Sequence, residues 1–128
     1  GSDHALLIPL MVRVMLGGSE VNVSVTFVSA ITSRPRLTIV GSINNCVITN
    51  ATTGKKIDFT GTAIGPLTVI TVDMHRAAPV VTDQGGVDRS SYLTDDSNLD
   101  SFAVVAGSNT VTVTGTGAVA ATKVYLEY

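Results

Sequence analysis

Over much of this chain apolar and polar residues alternate one by one. Val21, Val23, Val25 and Phe27 are separated by Asn22, Ser24 and Thr26, and Val111 and Val113 are set between Thr110, Thr112 and Thr114. Successive side chains of a strand point to opposite faces, so this period of two puts valines on a core and hydroxyls toward water. No stretch sustains the 3.6-residue period of an amphipathic helix. The expected strands are Leu6 to Leu16 (bent or edged at Pro9), Val21 to Phe27, Leu37 to Val40, Cys46 to Thr49, Lys56 to Phe59, Leu67 to Val72, Val80 to Thr82, Phe102 to Val105, Thr110 to Thr114 and Thr122 to Glu127. The first two are expected to form a hairpin. Turn formers lie between strands, at Gly17-Gly18, Gly41-Ser42, Ala51 to Gly54, Gly61 to Pro66, Gln84 to Gly86, Gly107 to Asn109 and Gly115 to Gly117. The segment from Ser90 to Ser97 leaves room for a short helix. About ten short strands with glycine-rich turns predict an all-β fold, an antiparallel β-sandwich.

The stretch from Tyr92 to Gly115 is the most articulate. It reads as a polar loop, a short apolar strand, a Gly-Ser-Asn turn and the Val/Thr strand. This predicts half of a hairpin laid on a core, with Phe102, Val111 and Val113 buried and the loop from Asp95 to Asp100 exposed. Gly107 and Asn109 would hold the turn, because such residues adopt its backbone geometry cheaply.

Composition narrows the function classes. At 128 residues the chain fits one domain that can bury a core without metal or disulfide support. Apolar residues make up 45%, aromatics 5% and charged residues 14%, so the core is aliphatic and the surface rich in Thr, Ser and Asn. A net charge of −2 provides no field to gather phosphates, which argues against a nucleic-acid partner. Cys46 is the sole cysteine, so neither an internal disulfide nor a cysteine-based zinc site is expected. The apolar run from Ala5 to Leu16 contains Pro9 and Arg13 and is too short for a membrane span; Asp3 and His4 stand where a signal peptide would carry its basic start. Gly1-Ser2 has the look of a tag scar, leaving residues 3–128 as a single domain excised from something longer. Ser33-Arg34-Pro35-Arg36 is the best internal boundary, because proline cannot donate to a ladder.

No catalytic constellation emerges. Of two histidines, His4 lies in the terminus, and His75 in Asp73-Met74-His75-Arg76 reads as a polar strand end where Asp73 caps or pairs locally. Gly-x-Ser-x-Gly is absent. Asp83, Asp88, Asp95, Asp96 and Asp100 are the one acidic accumulation. Asp95, Asp96 and Asp100 are weak calcium candidates without EF-hand spacing, and with Asn98 they equally describe an exposed interaction surface. Thr53-Gly54-Lys55-Lys56 fails as a phosphate loop, since Thr49 stands where its first glycine belongs and Lys56 where its Ser or Thr does. Asn22-Val23-Ser24 and Asn50-Ala51-Thr52 fit the glycosylation rule. Arg34, Arg36 and Arg76 are candidates to snorkel over the sheet or form pairs. The residues alone describe a non-enzymatic, cofactor-free sandwich that works by presenting surfaces. The alternative, a carbohydrate-binding adhesion module, lacks the tryptophan platform such sites favour.

Five segments in order run from Pro35 to Asn45, Val47 to Lys56, Leu67 to Asp73, Tyr92 to Ser97 and Ala106 to Val113. Together they resemble the C-terminal domain of siphophage distal tail proteins over Pro35 to Tyr128: a proline-started strand ending in Gly, an Asn-x-Thr-x-Gly turn, a strand closing on Asp, a Ser-x-Leu-like segment and an Ala-Gly-x-Asn turn. The resemblance implies a galectin-like jelly roll attached to an N-terminal domain that forms a hexameric ring. The chain would then be a structural module of a phage or prophage virion tail, assembled in the bacterial cytoplasm. Its partners would be baseplate or receptor-binding proteins; the isolated domain would be monomeric and the full-length protein a homo-hexamer. Residues 3–34 fit the pattern less clearly and would belong either to the sandwich or to the connection with the ring domain. Galactoside binding does not follow from such a fold.

Overall fold

A computed structural model describes the backbone of residues 5–8, 12–15 and 18–128, and side chains from Glu20 onward. Expectations placed on Gly1-Ser2, His4 and Pro9 lie outside the described residues. The fold is an antiparallel β-sandwich. Its strands are β1 (Ala5–Ile8), β2 (Val12–Met15), β3 (Gly18–Ser29), β4 (Arg36–Val40), β5 (Ile43–Asn50), β6 (Lys55–Asp58), β7 (Ala63–Ile64), β8 (Val69–Asp73), β9 (Val80–Asp83), β10 (Gly107–Thr116) and β11 (Lys123–Glu127). One sheet has the order β1-β11-β4-β8-β9, the other β2-β3-β10-β5-β6, with β7 added beside the start of β5. A 3-10 turn, Ser90–Tyr92, occupies the place left for a short helix.

The period-two pattern explains the core. Leu37, Ile39, Ile70, Val72, Val81, Val124 and Leu126 from one sheet meet Val21, Cys46, Ile48, Ile57, Val111 and Val113 from the other, each buried. Each such aliphatic side chain contributes about 1.5–3 kcal/mol on burial. Most outward residues of β3 and β10 are polar, with the exposed Val28 an exception. Ser24 and Thr112 share a hydrogen bond of 2.8 Å, and Thr26 and Thr110 one of 2.9 Å, in register across β3 and β10.

Four details differ from the sequence expectation. The run from Leu6 to Leu16 contains two strands, β1 paired with β11 and β2 with β3, in different sheets. Gly107 to Asn109 is not a turn but the first part of β10, paired with Ser29, Val28 and Phe27. Phe102 to Val105 is not a strand: only Val104 pairs, with Ser33, through N–H···O bonds of 2.8 and 2.9 Å. Its apolar residues plug the core as a loop, with Phe102 and Val104 fully buried. Finally, Leu67 and Thr68 belong to the turn before β8. Upstream of the Ser33 to Arg36 boundary, β3 lies between β2 and β10 and gives Val21 and Val23 to the core.

Candidate interaction surface

Edge strands leave unpaired backbone groups that invite other strands. One lateral side of the sandwich, where β9 and β6 are the edges, is closed by a single segment, residues 87–98. Against β9, Arg89 donates its amide to the Val81 carbonyl (2.8 Å) and Asp83 donates to the Val87 carbonyl (3.0 Å). The Asp83 carboxylate organises this end: Oδ1 accepts the amides of Gly85 (2.8 Å) and Val87 (3.1 Å), and Oδ2 meets Arg89 Nε at 2.9 Å. Burial pushes the Asp83 carboxyl up, but these amides and Arg89 outweigh it and hold its pKa below the ordinary value. Arg89 also stacks over the Tyr92 ring, 5.4 Å from its centre.

The same segment then crosses to β6. Thr94 donates to the Asp58 carbonyl (2.9 Å) and Asn98 to the Lys56 carbonyl (2.8 Å). Side chains complete the ladder, Asn98 Oδ1 accepting the Lys56 amide (3.0 Å) and Ser97 Oγ the Asp58 amide (2.9 Å). Lys56 Nζ sits 3.1 Å from Asp58 Oδ2 and 3.0 Å from Asp96 Oδ2. The bonds from Asp96 and then Asp58 raise the Lys56 pKa. Asp96 is held low by the Thr94 hydroxyl and then by Lys56. For Asp58, burial acts upward, while the Thr60 hydroxyl and amide and Lys56 bring the net shift downward. At the far end Arg34 Nη2 donates to the Leu99 carbonyl (3.1 Å).

This places the sequence-nominated residues. Asp95, Asp96 and Asp100 are exposed and Asn98 is half-buried. Asn98 serves as a surrogate strand residue against β6 and Asp96 is tied to Lys56, which leaves Asp95 and Asp100 as the outward-facing acids. Among the described residues no group of three or more acidic, histidine or cysteine side chains forms a metal-holding cluster, so Asp95, Asp96 and Asp100 do not converge. His75 is exposed, and its amide donates to Asp73 Oδ1 at 3.1 Å. Asp73 Oδ2 lies 3.7 Å from Arg36 and 3.5 Å from Arg76, and Arg36 also reaches Glu127 at 3.6 Å. Asn22 is exposed, whereas Asn50 is wholly buried and sterically barred from a glycosylating enzyme.

Sequence reasoning missed two features. Asn50 and Asn109 form a buried carboxamide pair (3.1 Å) that ties the loop at 103–107 to β5 and β10; two separated asparagines carry no periodic signal that would pair them. Leu67 stands 90% exposed with φ +64, where the sequence pattern makes it the first residue of a strand. Among the described residues, one surface depression of about 280 Å³ is lined by Glu20, Asn22, Asn45, Thr114 and Thr116, and another of about 180 Å³ lies beside Pro79, Val80, Thr82 and Asp88. Ser90 also lines the second, its hydroxyl and its amide (2.8 Å) both bonded to the Asp88 carboxylate. No described helix is long and apolar enough to cross a membrane. No protein-family model, curated protein or solved structure matches the chain.

Proposed function

We propose that this chain is a non-enzymatic structural and docking module of a phage or prophage tail tip or baseplate, corresponding to the C-terminal domain of a distal tail protein. The observation that carries the reading is the ordered series of five sequence segments between Pro35 and Val113. They fall on β4, on the β5–turn–β6 unit, on the entry to and length of β8, on the strap over the sheet edges, and on β10. In this reading the domain belongs to the virion, its ring-forming portion lies elsewhere in a longer protein, and neighbouring tail or receptor-binding subunits are its partners. Mass spectrometry of purified particles from the phage or induced prophage that encodes the chain is expected to detect it in tails; its absence from them removes the reading.

One observation favours a second reading, a carbohydrate-binding adhesion module. The 280 Å³ depression is rimmed by a carboxylate, two carboxamides and two hydroxyls, the groups that hydrogen-bond sugar hydroxyls. A glycan array that stays blank at high protein concentration eliminates it.

A further inference from the structure

The depression of about 280 Å³ lies where two backbone irregularities meet on the outer face of the six-stranded sheet. On that face β3 and β10 match residue for residue, and side chains bond across in the rows Thr26–Thr110 and Ser24–Thr112. The next two rows, Asn22–Thr114 and Glu20–Thr116, do not follow. Among the described residues none of these four side chains has a hydrogen-bond partner. Here the register of β10 against β5 shifts between Thr114 and Thr116, and on β5 Asn45 takes φ +53. Bulges of this kind re-aim side chains and are over-represented at functional sites. Asn45 is held in place, its Oδ1 accepting the Gly61 amide (2.8 Å), which leaves its Nδ2 as a spare donor. Five side chains with hydrogen-bonding capacity to give therefore ring one concavity.

We propose that this depression binds a neutral saccharide, an inference that rests on the carbohydrate reading above and names its ligand class and contacts. The class follows from the groups present. A carboxylate, two carboxamides and two hydroxyls set acceptors beside donors, and the hydroxyls of a sugar ring, each donor and acceptor at once, match that mixture. No lysine, arginine or histidine lines the depression, and the register sets Arg13 of β2 opposite Glu20. The two charges balance, so neither an anionic nor a cationic ligand is selected. A single carboxylate falls short of the oxygen set that calcium takes. An extended peptide is disfavoured because β3, β10 and β5 are interior strands whose backbone groups are spent on their neighbours, which leaves no edge to extend. The volume stands at the small end for ligand sites and fits the terminal ring of a glycan.

The test titrates the isotope-labelled chain with the methyl glycosides of glucose, galactose, mannose and N-acetylglucosamine, and with glucuronic acid and glucosamine as charged counterparts, while amide NMR signals are followed. At least one neutral glycoside is expected to give saturable shifts centred on residues 20–22, 45 and 114–116. Glu20→Gln is expected to weaken that binding about tenfold, as loss of a hydrogen bond to a charged group does. Asn22→Ala combined with Thr116→Ala should weaken it as much, with an unchanged melting temperature because both residues are exposed. Thr26→Ala, on the same face but outside the depression, should leave binding unaltered. Saturable shifts that map elsewhere, or binding that the Glu20 and Asn22/Thr116 variants leave intact, overturn the site while the carbohydrate reading stands. Preference for glucuronic acid or glucosamine over every neutral glycoside overturns the ligand class. A titration without saturable shifts overturns the site even where a glycan array binds the chain, and a blank array as well removes the carbohydrate reading with it.

Discussion

Replacing Asn109 with alanine is expected to be among the most damaging single substitutions at a polar position. Asn109 is wholly buried and makes four hydrogen bonds. Its Oδ1 accepts from the Val105 amide (2.9 Å) and Asn50 Nδ2 (3.1 Å), while its Nδ2 donates to the carbonyls of Val105 (2.8 Å) and Gly107 (3.1 Å). In Asn109→Ala, Gly107 is exposed enough to turn to water, and Asn50 Nδ2 keeps the Ala103 carbonyl at 2.9 Å. Val105, half-buried, loses partners for both its N–H and its C=O. At about 1–3 kcal/mol per unsatisfied buried group this amounts to about 2–6 kcal/mol. The vacated carboxamide volume adds on the order of 1 kcal/mol. For a domain of this size the melting temperature should fall by about 10–20 °C. Urea unfolding followed by circular dichroism gives the free energy, and hydrogen exchange at the Val105 amide gives the local consequence. Asn109→Asp separates chemistry from volume, since it is isosteric but turns an acceptor toward the Val105 and Gly107 carbonyls. That carboxyl would be easier to protonate in the folded state, so the variant should lose stability as pH rises above about 4. Two results together would refute the reasoning: an alanine variant within about 1 kcal/mol of wild type, and unaltered exchange at Val105.

Three further outcomes are expected. Gly41→Ala should prevent normal folding, because the added Cβ would stand 2.1 Å from the Gly65 carbonyl oxygen and 2.8 Å from that of Ile64, both backbone atoms; a soluble variant with wild-type melting would contradict this. The Cys46 thiol is pushed up to about 12 by burial and then by the nearby Asp58 charge, so native protein at pH 8 should resist a thiol reagent that modifies it fully in denaturant. Asp58, Asp83, Asp88 and Asp96 all have folded pKa values below their ordinary ones, so the stability they confer is present above about pH 4 and lost as pH falls through the lowered values. Wild-type melting temperature should therefore drop on acidification below about pH 4, opposite in direction to the Asn109→Asp contribution, and a flat profile there would count against the strap's ion pairs.

Much of the fold was legible because a half-buried strand writes its burial into every second residue. Val21 and Val23, Leu37 and Ile39, and Val111 and Val113 all face the core as their alternation required. The misreadings have one physical origin. Gly107-Ser108-Asn109 carries turn chemistry, and Gly107 does take the positive φ (+97) expected of it, yet the three residues join β10 because Asn109 folds its side chain back onto Val105 and β3 supplies a ladder. Phe102 to Val105 carries strand chemistry, yet it is a loop because burying Phe102 and Val104 outweighs pairing. The strap resisted sequence reading for the same reason, since the role of Asn98 depends on where the edge of β6 falls.

The sequence by itself determined the all-β class, the faces of the principal strands and the aliphatic core, since these follow from the local period and composition. Tertiary structure alone decided which strands are neighbours, that β1 and β2 part into different sheets, that one segment seals two edges, and that Asn50 meets Asn109 across 59 positions. It also revealed Leu67 as an exposed leucine in a glycine's conformation. Pairing between distant residues depends on how layers stack and edges are covered, and no local pattern encodes that.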